Sequence, residues 1–203
     1  LKKNIDNLNF SRFIMIADRG ICQYNNLLHI LDAGNGYIVS KSLLKSTREE
    51  QEWTYSDEGY TQVSPDFKYK SRIKKRTVKD EKGHPHTIEE QVVVYWSRKY
   101  QVRCEYENKR FLDFLEKLEQ NPGNFRVTAL EAKSLRRFFK PEYVHQTTGE
   151  VFDASKLKPL IDFEKVREFR KSMGYYQIVT SELTMPAQKV IDKYHGLTQI
   201  EDQ

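Results

Sequence analysis

The sequence predicts an α/β fold in which a β-rich middle segment interrupts an alternation of strands and helices. Three observations lead to this prediction. Residues 12–40 read as strand, helix and strand, residues 52–159 are rich in short aromatic and β-branched runs, and residues 175–201 read again as a strand followed by a helix. We therefore expect three parts, namely a first core part at 1–51, a β-rich (α+β) insertion at 52–159 and a second core part at 160–203.

Composition limits the possible functions only loosely. The chain has 203 residues, with 34 Lys and Arg against 29 Asp and Glu, and the net charge of +5 permits a polyanionic partner without requiring one. Its two cysteines, Cys22 and Cys104, match neither a metal-ligand spacing nor a disulfide framework, which favours a reducing compartment. No apolar run approaches the roughly 18 residues of a membrane span, so we expect a soluble protein without a membrane partner.

Both ends of the sequence suggest a piece of a longer protein. The chain begins with Leu1 rather than Met, and a helical pattern continues towards Gln203 without a capping signal. We expect a fragment that lacks both ends.

The run from Phe13 to Ala17 predicts a strand that ends at a carboxylate, Asp18, followed by Arg19 and Gly20. Five apolar residues without alternation are typical of a strand covered on both faces. Parallel sheets place their chemistry beyond the carboxyl ends of their strands, which is where Asp18 would lie. The alternative is that these three polar residues only form a turn.

A helix and a second strand follow the first strand. Tyr24, Leu27, Leu28 and Leu31 recur at helical spacing, and Gly34 supplies a stop. The apolar run at 37–39 predicts the next strand, which a right-handed crossover would place parallel to the first. Residues 41–51 are polar and predict a helix or a linker.

Short strands are predicted at the start of the middle segment, at 53–55 and 60–63. Residues 67–79 and 87–96 flank a polar turn and predict a hairpin. Alternation in the first arm would place Phe67, Tyr69, Ser71 and Ile73 on one face, and Lys68, Lys70, Arg72 and Lys74 on the other.

The second of these faces is strongly basic, and Lys75 and Arg76 extend the basic character of the strand. Such a strand could contact DNA phosphates, or its cations could only keep an exposed edge soluble and unpaired. His84 and His86 flank a proline in the turn, and we do not interpret them as a metal site, because two histidines in a polar turn with no cysteine nearby are more often solvated.

Two longer helices are predicted between residues 97 and 174. An apolar stripe over 97–120 indicates a long surface helix that ends before Asn121, and a second helix over 162–173 would be capped by Asp162. A short helix over 130–140 and a turn at 147–150 are predicted between them.

The last strand and helix carry a second notable acid. Residues 175–181 predict a buried strand, and Thr184 and Pro186 indicate the start of the following helix. Glu201 continues the apolar stripe of this helix at a spacing of four residues, where an ionised carboxylate is costly unless it is paired or bound to a cation. The alternative is an acid at the flank of a stripe that frays near its end.

These segments together resemble a known enzyme family. The residues Ala17-Asp18-Arg19-Gly20, the strand Gly174 to Ser181 and the helix Tyr194-His195-Gly196-Leu197-Thr198-Gln199-Ile200-Glu201 are similar to those of DDE transposases of bacterial insertion sequences. That family carries its last acid in a Tyr-x-x-Arg-x-x-x-Glu helix. This chain keeps Tyr194 and Glu201 at that spacing and has Leu197 where the family commonly has Arg.

The resemblance implies a ribonuclease-H-like core with a large insertion between the second and third catalytic acids, here Asp18 and Glu201. The first acid is not assigned, because Asp6 lies in a polar stretch. Asp18 and Glu201 would be ligands of Mg²⁺ or Mn²⁺, and the metal ions would support strand cleavage and transfer of a 3′ hydroxyl. This fragment alone would be inactive.

The resemblance also implies double-stranded DNA as partner, a homodimer on DNA, and a bacterial cytoplasm with its nucleoid as location. Arg19 could contact the scissile phosphate or pair with a neighbouring carboxylate, and Tyr194 could contact DNA or belong to the core. Trp53 and Trp96 could stack on a base or pack internally. Two other functions remain open, a catalytically inactive remnant that binds DNA through residues 68–79 and an unrelated α/β interaction module.

Overall fold

The computed structural model describes residues 11–18, 24–120, 126–127, 135, 138, 152–153, 158 and 161–201. For residues 126–127, 152–153 and 197–201 the description covers the backbone alone. Every structural statement below refers to these ranges.

A mixed six-stranded sheet organises the chain and confirms the α/β class. Its strands in chain order are β1 (Ile14–Ala17), β2 (Gly36–Lys41), β3 (Thr61–Ser64), β4 (Phe67–Lys79), β5 (Pro85–Ser97) and β8 (Tyr175–Thr180). Their order across the sheet is β1-β2-β8-β5-β4-β3. A separate two-stranded pair consists of β6 (Arg126–Val127) and β7 (Phe152–Asp153).

Five α-helices and one short 3₁₀ turn connect these strands in the described ranges. The helices are α1 (Tyr24–Asp32), α2 (Arg48–Tyr55), α3 (Arg98–Gln120), α4 (Phe163–Lys171) and α5 (Ala187–Glu201), and the 3₁₀ turn is Leu43–Lys45. No described helix combines the length and apolar character that crossing a membrane requires.

The predicted strand-helix-strand unit is confirmed at β1, α1 and β2. The two strands are parallel, with Ile14 opposite Gly36 and Ala17 opposite Val39. Gly34 adopts a φ of 74°, a left-handed conformation that glycine reaches without a steric penalty, and it turns the chain from α1 into β2.

One expectation for this unit is confirmed in part. Both faces of β1 are covered as predicted, because Ile14 and Ile16 pack in the cluster with α5 while Met15 and Ala17 pack in the cluster with α1, but only Ala17 is buried. The physical reason is position in the sheet, since β1 lies at its edge and pairs with β2 alone among the described strands.

The predicted hairpin is confirmed as the longest pairing of the sheet. β4 and β5 run antiparallel in an unbroken register from Phe67 opposite Ser97 to Lys79 opposite Pro85. β8 pairs antiparallel with β2 on one side and with β5 on the other, which joins the hairpin to the parallel unit.

The strand predicted at 53–55 is a helix, the last turn of α2. Thr47 and Glu50 form a capping box in which each side chain accepts a hydrogen bond from the other residue's backbone N–H. This local signal starts a helix that continues to Tyr55, and it outweighs the β propensity of Trp53 and Thr54.

The two faces of the sheet bury different sets of side chains, as expected from the alternation along each strand. Ile38, Val93 and Ile178 pack against α5 on one face. The other face packs against α1 and Trp53 through Tyr37, Val39, Val92, Val94 and Val179.

The chain divides into two compact units. The first comprises 1–98 and 175–203 and contains the six-stranded sheet, while the second comprises 99–174. The second unit has its own core, and the members of this core are Leu115, Leu118, Leu135, Phe138, Ile161 and Val166.

Both long helices predicted in the second unit are confirmed, as α3 and α4. Asp162 caps α4 as predicted, since its side chain accepts hydrogen bonds from the backbone N–H groups of Glu164 and Lys165. The predicted turn at 147–150, and the helix at 130–140 apart from residues 135 and 138, lie outside the described residues.

Candidate active site

Asp18 lies directly after β1, at the carboxyl end of the strand. Because β1 and β2 are parallel and Ala17 is opposite Val39, Asp18 comes beside Ser40 of β2. The Ser40 hydroxyl donates to Asp18 Oδ1 at 2.5 Å. The local fold therefore supplies one buried hydroxyl to an exposed carboxylate.

A second hydroxyl reaches the same oxygen from the far end of the chain. Tyr194 of α5 donates to Asp18 Oδ1 at 3.3 Å, and its side chain is almost fully buried. This contact joins residues 176 positions apart in the sequence. It places α5 beside the strand that carries Asp18.

The position of α5 follows from its apolar stripe. Ala187, Val190 and Ile191 are buried together with Tyr194 against the sheet, as the sequence pattern predicts. Pro186 precedes the helix and accepts the first helical hydrogen bond, from the Val190 N–H. The predicted helix start is thus confirmed to within a residue or two.

Glu201 is the last residue of α5. It follows Tyr194 by seven residues, so both lie on nearly the same helix face, about 10 Å apart along the axis. The Glu201 side chain and the whole of Arg19 lie outside the described residues.

Hydroxyl and imidazole groups extend the contacts of Tyr194. The Tyr176 and Tyr194 hydroxyl oxygens lie 2.9 Å apart, and the Tyr95 hydroxyl lies 3.0 Å from His195 Nε2. Burial raises the pKa of Tyr194; hydrogen bonding to Ser40 opposes this, whereas Tyr176 and the charge of Asp18 add to it. Burial lowers the pKa of His195, and the charge of Asp192 opposes this shift.

The donors near Asp18 are oxygens, which are the ligands that hard cations such as Mg²⁺ prefer. Three oxygens of Asp18, Ser40 and Tyr194 meet at hydrogen-bonding distance. In the part of the chain that the structure describes, no group of three or more His, Cys, Asp or Glu side chains could hold a metal ion. The oxygen atoms at Asp18 are therefore of the type that binds a hard cation. Among the described residues at this site, Asp18 supplies the one carboxylate.

The basic residues of β4 alternate as predicted, but most of them do not form an exposed face. Lys68 pairs with Asp57 at 2.7 Å, while Arg72 and Lys74 pair with Glu49 at 2.5 and 2.7 Å. The Arg72 guanidinium also lies 4.2 Å from the centre of the Trp53 ring. Acids on α2 and in the loop that follows therefore neutralise these cations.

Lys70 and Arg76 are held still more tightly. Lys70 is 3% exposed and its ammonium donates to backbone carbonyls, including those of Ser56 and Glu58 at 2.7 and 3.1 Å. Arg76 donates to Glu50 at 2.6 Å and to Glu90 at 2.7 Å, and both carboxylates are buried.

Among the predicted DNA contacts on β4, Lys75 differs in its exposure. Its side chain is 75% exposed on the opposite face, 3.5 Å from Glu89. The sequence therefore identified the cations of β4 but missed their acidic partners. The capping box at Thr47 was the one signal that could have placed Glu49 and Glu50 on a helix.

The two histidines of the β4–β5 turn contact Asp80. His84 Nδ1 and His86 Nε2 lie 3.3 and 3.2 Å from its Oδ2 atom. They line a cleft of about 260 Å³ together with residues of α1.

Comparison of the chain with protein-family models, curated proteins and solved structures gives no match in any of the three.

Proposed function

We propose that this chain is part of a DDE-type DNA transposase, which cleaves DNA strands at insertion-sequence ends and transfers them to a target. The observation that carries the proposal is the hydrogen bond from Tyr194 to Asp18. It brings the helix that ends at Glu201 beside the strand that ends at Asp18. The resemblance of both segments to the motifs of that family supports the same function.

In this proposal Asp18 and Glu201 hold a divalent cation, Mg²⁺ or Mn²⁺, together with a first acid that is not assigned. Divalent metal ions held there would supply activation of a water or 3′ hydroxyl and stabilisation of the leaving oxygen. Ser40 and Tyr194 orient the Asp18 carboxylate through its Oδ1 atom. Hydrogen bonds of this kind to a ligating carboxylate commonly affect metal affinity by about 10- to 100-fold.

Double-stranded DNA is the proposed substrate, bound by a homodimer. Arg19, next to Asp18, is a proposed phosphate contact, and the exposed Lys75 is a second. The paired cations of β4 give less support to the alternative of an inactive remnant that binds DNA through residues 68–79, because DNA would have to displace Glu49, Glu50 and Asp57.

Isothermal titration calorimetry with Mn²⁺ tests the proposal. We expect the chain to bind Mn²⁺, and both Asp18→Asn and Glu201→Gln to weaken this binding at least tenfold. Asp192→Asn is the matched control, because Asp192 lies on the exposed side of the same helix. It should bind as the unmodified chain does.

Two results would contradict the proposal. One is the absence of Mn²⁺ binding to the unmodified chain at millimolar concentration. The other is binding that neither Asp18→Asn nor Glu201→Gln changes, which would favour the unrelated interaction module.

A further inference from the structure

Three tyrosines form a row across three adjacent strands. In the register of the sheet, Tyr69 of β4 is opposite Tyr95 of β5, and Tyr95 is opposite Tyr176 of β8. Paired residues place their side chains on the same face, so all three rings lie on the face that packs against α5. No local sequence pattern indicates this row, because its neighbouring members are 26 and 81 residues apart.

Ring contacts make the row continuous. The Tyr95 and Tyr176 rings are stacked, with centroids 5.5 Å apart and an interplanar angle of 22°. Phe67, two residues before Tyr69, extends the row with centroids 5.6 Å from Tyr95 and 6.4 Å from Tyr69. We call these four residues the aromatic row.

The aromatic row leads to the candidate active site. The Tyr176 and Tyr194 rings are 5.6 Å apart, and Tyr194 donates to Asp18. The row is thus connected to the carboxylate through Tyr194, on the side of the sheet that packs against α5.

Part of the aromatic row is accessible. Tyr95 is buried, but Phe67, Tyr69 and Tyr176 are only partly buried. Beyond Tyr69 on the same face of β4, Ile73 is 58% exposed and Lys75 is 75% exposed. Beyond the outer end of the row, the same face therefore presents the apolar side chain of Ile73 and the cation of Lys75.

We propose that the aromatic row binds unpaired nucleobases of a DNA strand by stacking. Aromatic side chains on the face of a sheet suit this ligand, since every base offers a flat π-face, and a nearby cation suits its phosphates. Strands lie about 4.8 Å apart, so Tyr69 and Tyr176 are about 10 Å apart, which is room for two to three nucleotides.

Because the aromatic row is connected to Asp18, a DNA strand stacked on the row would lie near the candidate active site. If the proposed function holds, the unpaired nucleotides are those next to the scissile phosphate. The stacking itself does not depend on metal or on cleavage, so it can be tested separately.

Fluorescence anisotropy with a labelled 12-nucleotide oligo-dT, in buffer containing EDTA, tests the proposal. Tyr69→Ala and Phe67→Ala should each weaken binding by about 5- to 100-fold, the usual effect of removing one stacking ring. Tyr69→Phe keeps the ring and should bind within about twofold of the unmodified chain. Tyr106→Ala is the matched control, because Tyr106 is 83% exposed on α3 and belongs to the second compact unit.

A second variant tests stacking without loss of a side chain. Tyr69→Trp should retain binding, and the oligonucleotide should quench the fluorescence that this variant gains. A duplex of the same length should bind more weakly, with no dependence on Tyr69.

Equal oligo-dT binding by Tyr69→Ala and the unmodified chain would overturn the proposal, as would equal losses in Tyr106→Ala and Tyr69→Ala. Failure of stacking and failure of the proposed function remain distinguishable. Stacking is measured as oligo-dT binding in EDTA and depends on Phe67 and Tyr69, whereas the proposed function is measured as Mn²⁺ binding and depends on Asp18 and Glu201, so either can fail alone.

Discussion

Arg76 connects two buried carboxylates in the first unit. It donates to Glu50 and Glu90, whose side chains are 1% and 0% exposed, and Tyr37 donates to Glu90 at 2.8 Å. A buried carboxylate without its cation is costly, so the guanidinium is essential for this arrangement. The cations of β4 therefore have a structural role that the sequence alone did not show.

Arg76→Ala should lower the free energy of unfolding by about 3 to 5 kcal/mol, the usual cost of breaking a buried ion pair. Its control is Lys75→Ala, one residue away, where an exposed ion pair contributes at most about 1 kcal/mol. Urea unfolding followed by circular dichroism measures both. Similar losses in the two variants would show that Arg76 has no special role.

The pH dependence of the free energy of unfolding should reveal the contribution of Glu50. Burial alone would raise its pKa, but the charges of Lys41 and Arg76 and hydrogen bonds from Arg76 and the Thr47 backbone lower the pKa to about 2. A carboxyl group with a lowered pKa in the folded state stabilises the fold above its unfolded pKa of about 4.5, and this stabilisation is lost as pH falls towards 2.

We therefore expect the unmodified chain to lose stability between pH 4.5 and 2, by on the order of 3 kcal/mol from Glu50. Glu50→Gln should be less stable at pH 7 and should show a flatter profile in this window. Urea unfolding at a series of pH values gives both curves. Parallel curves for the two proteins would contradict the assignment.

At the candidate site, the sequence predicted where Asp18 and the start of the final helix lie. Both depend on local patterns, an apolar run before Asp18 and a Thr and Pro before Ala187. The sequence did not predict that the hydroxyl groups of Ser40 and Tyr194 would donate to one oxygen of Asp18. Those contacts depend on strand pairing and helix packing between distant residues, which no local pattern encodes.

At the scale of elements, strong local signals gave correct predictions. The hairpin of β4 and β5 was recognisable by its turn and alternation, and α4 by its cap at Asp162. α2 was missed in part, because the β propensity of residues 53–55 was weighed without the capping box at Thr47. In this chain the start of a helix was more informative than the propensities at its end.

Thr47→Ala should lower the free energy of unfolding by about 1 kcal/mol, because it removes the side chain that accepts a hydrogen bond from the Glu50 N–H. Thr47→Ser keeps the hydroxyl and should lie within about 0.5 kcal/mol of the unmodified chain. Thermal unfolding at pH 7 measures the difference. Equal destabilisation by the two substitutions would assign the effect to the methyl group of Thr47 instead.

At the scale of the molecule, the order of strands was not predictable. β8 lies between β2 and β5, although 133 residues separate the end of β2 from its start. The residues predicted as an insertion include β3, β4 and β5, which belong to the main sheet, while the second compact unit comprises 99–174. Pairing over such distances depends on the whole core and not on any one segment.

The separate cores of the two units predict separate responses to mutation. Leu118→Ala removes a fully buried side chain from the second unit and should cost about 3 kcal/mol. Hydrogen exchange should then become faster in α3 and α4, while protection in β2 and β8 is retained. Equal losses of protection in both units would show instead that they unfold together.

Asp18 and Glu201 are proposed to share one divalent cation. A crystal structure of the chain with Mn²⁺, recorded with anomalous scattering, tests this most directly. We expect an anomalous peak within about 2.0 to 2.6 Å of a carboxylate oxygen of each residue, the range for hard cations with oxygen ligands. The result that would contradict it is an ordered Glu201 side chain more than about 10 Å from Asp18, since no single metal site could join them at that distance.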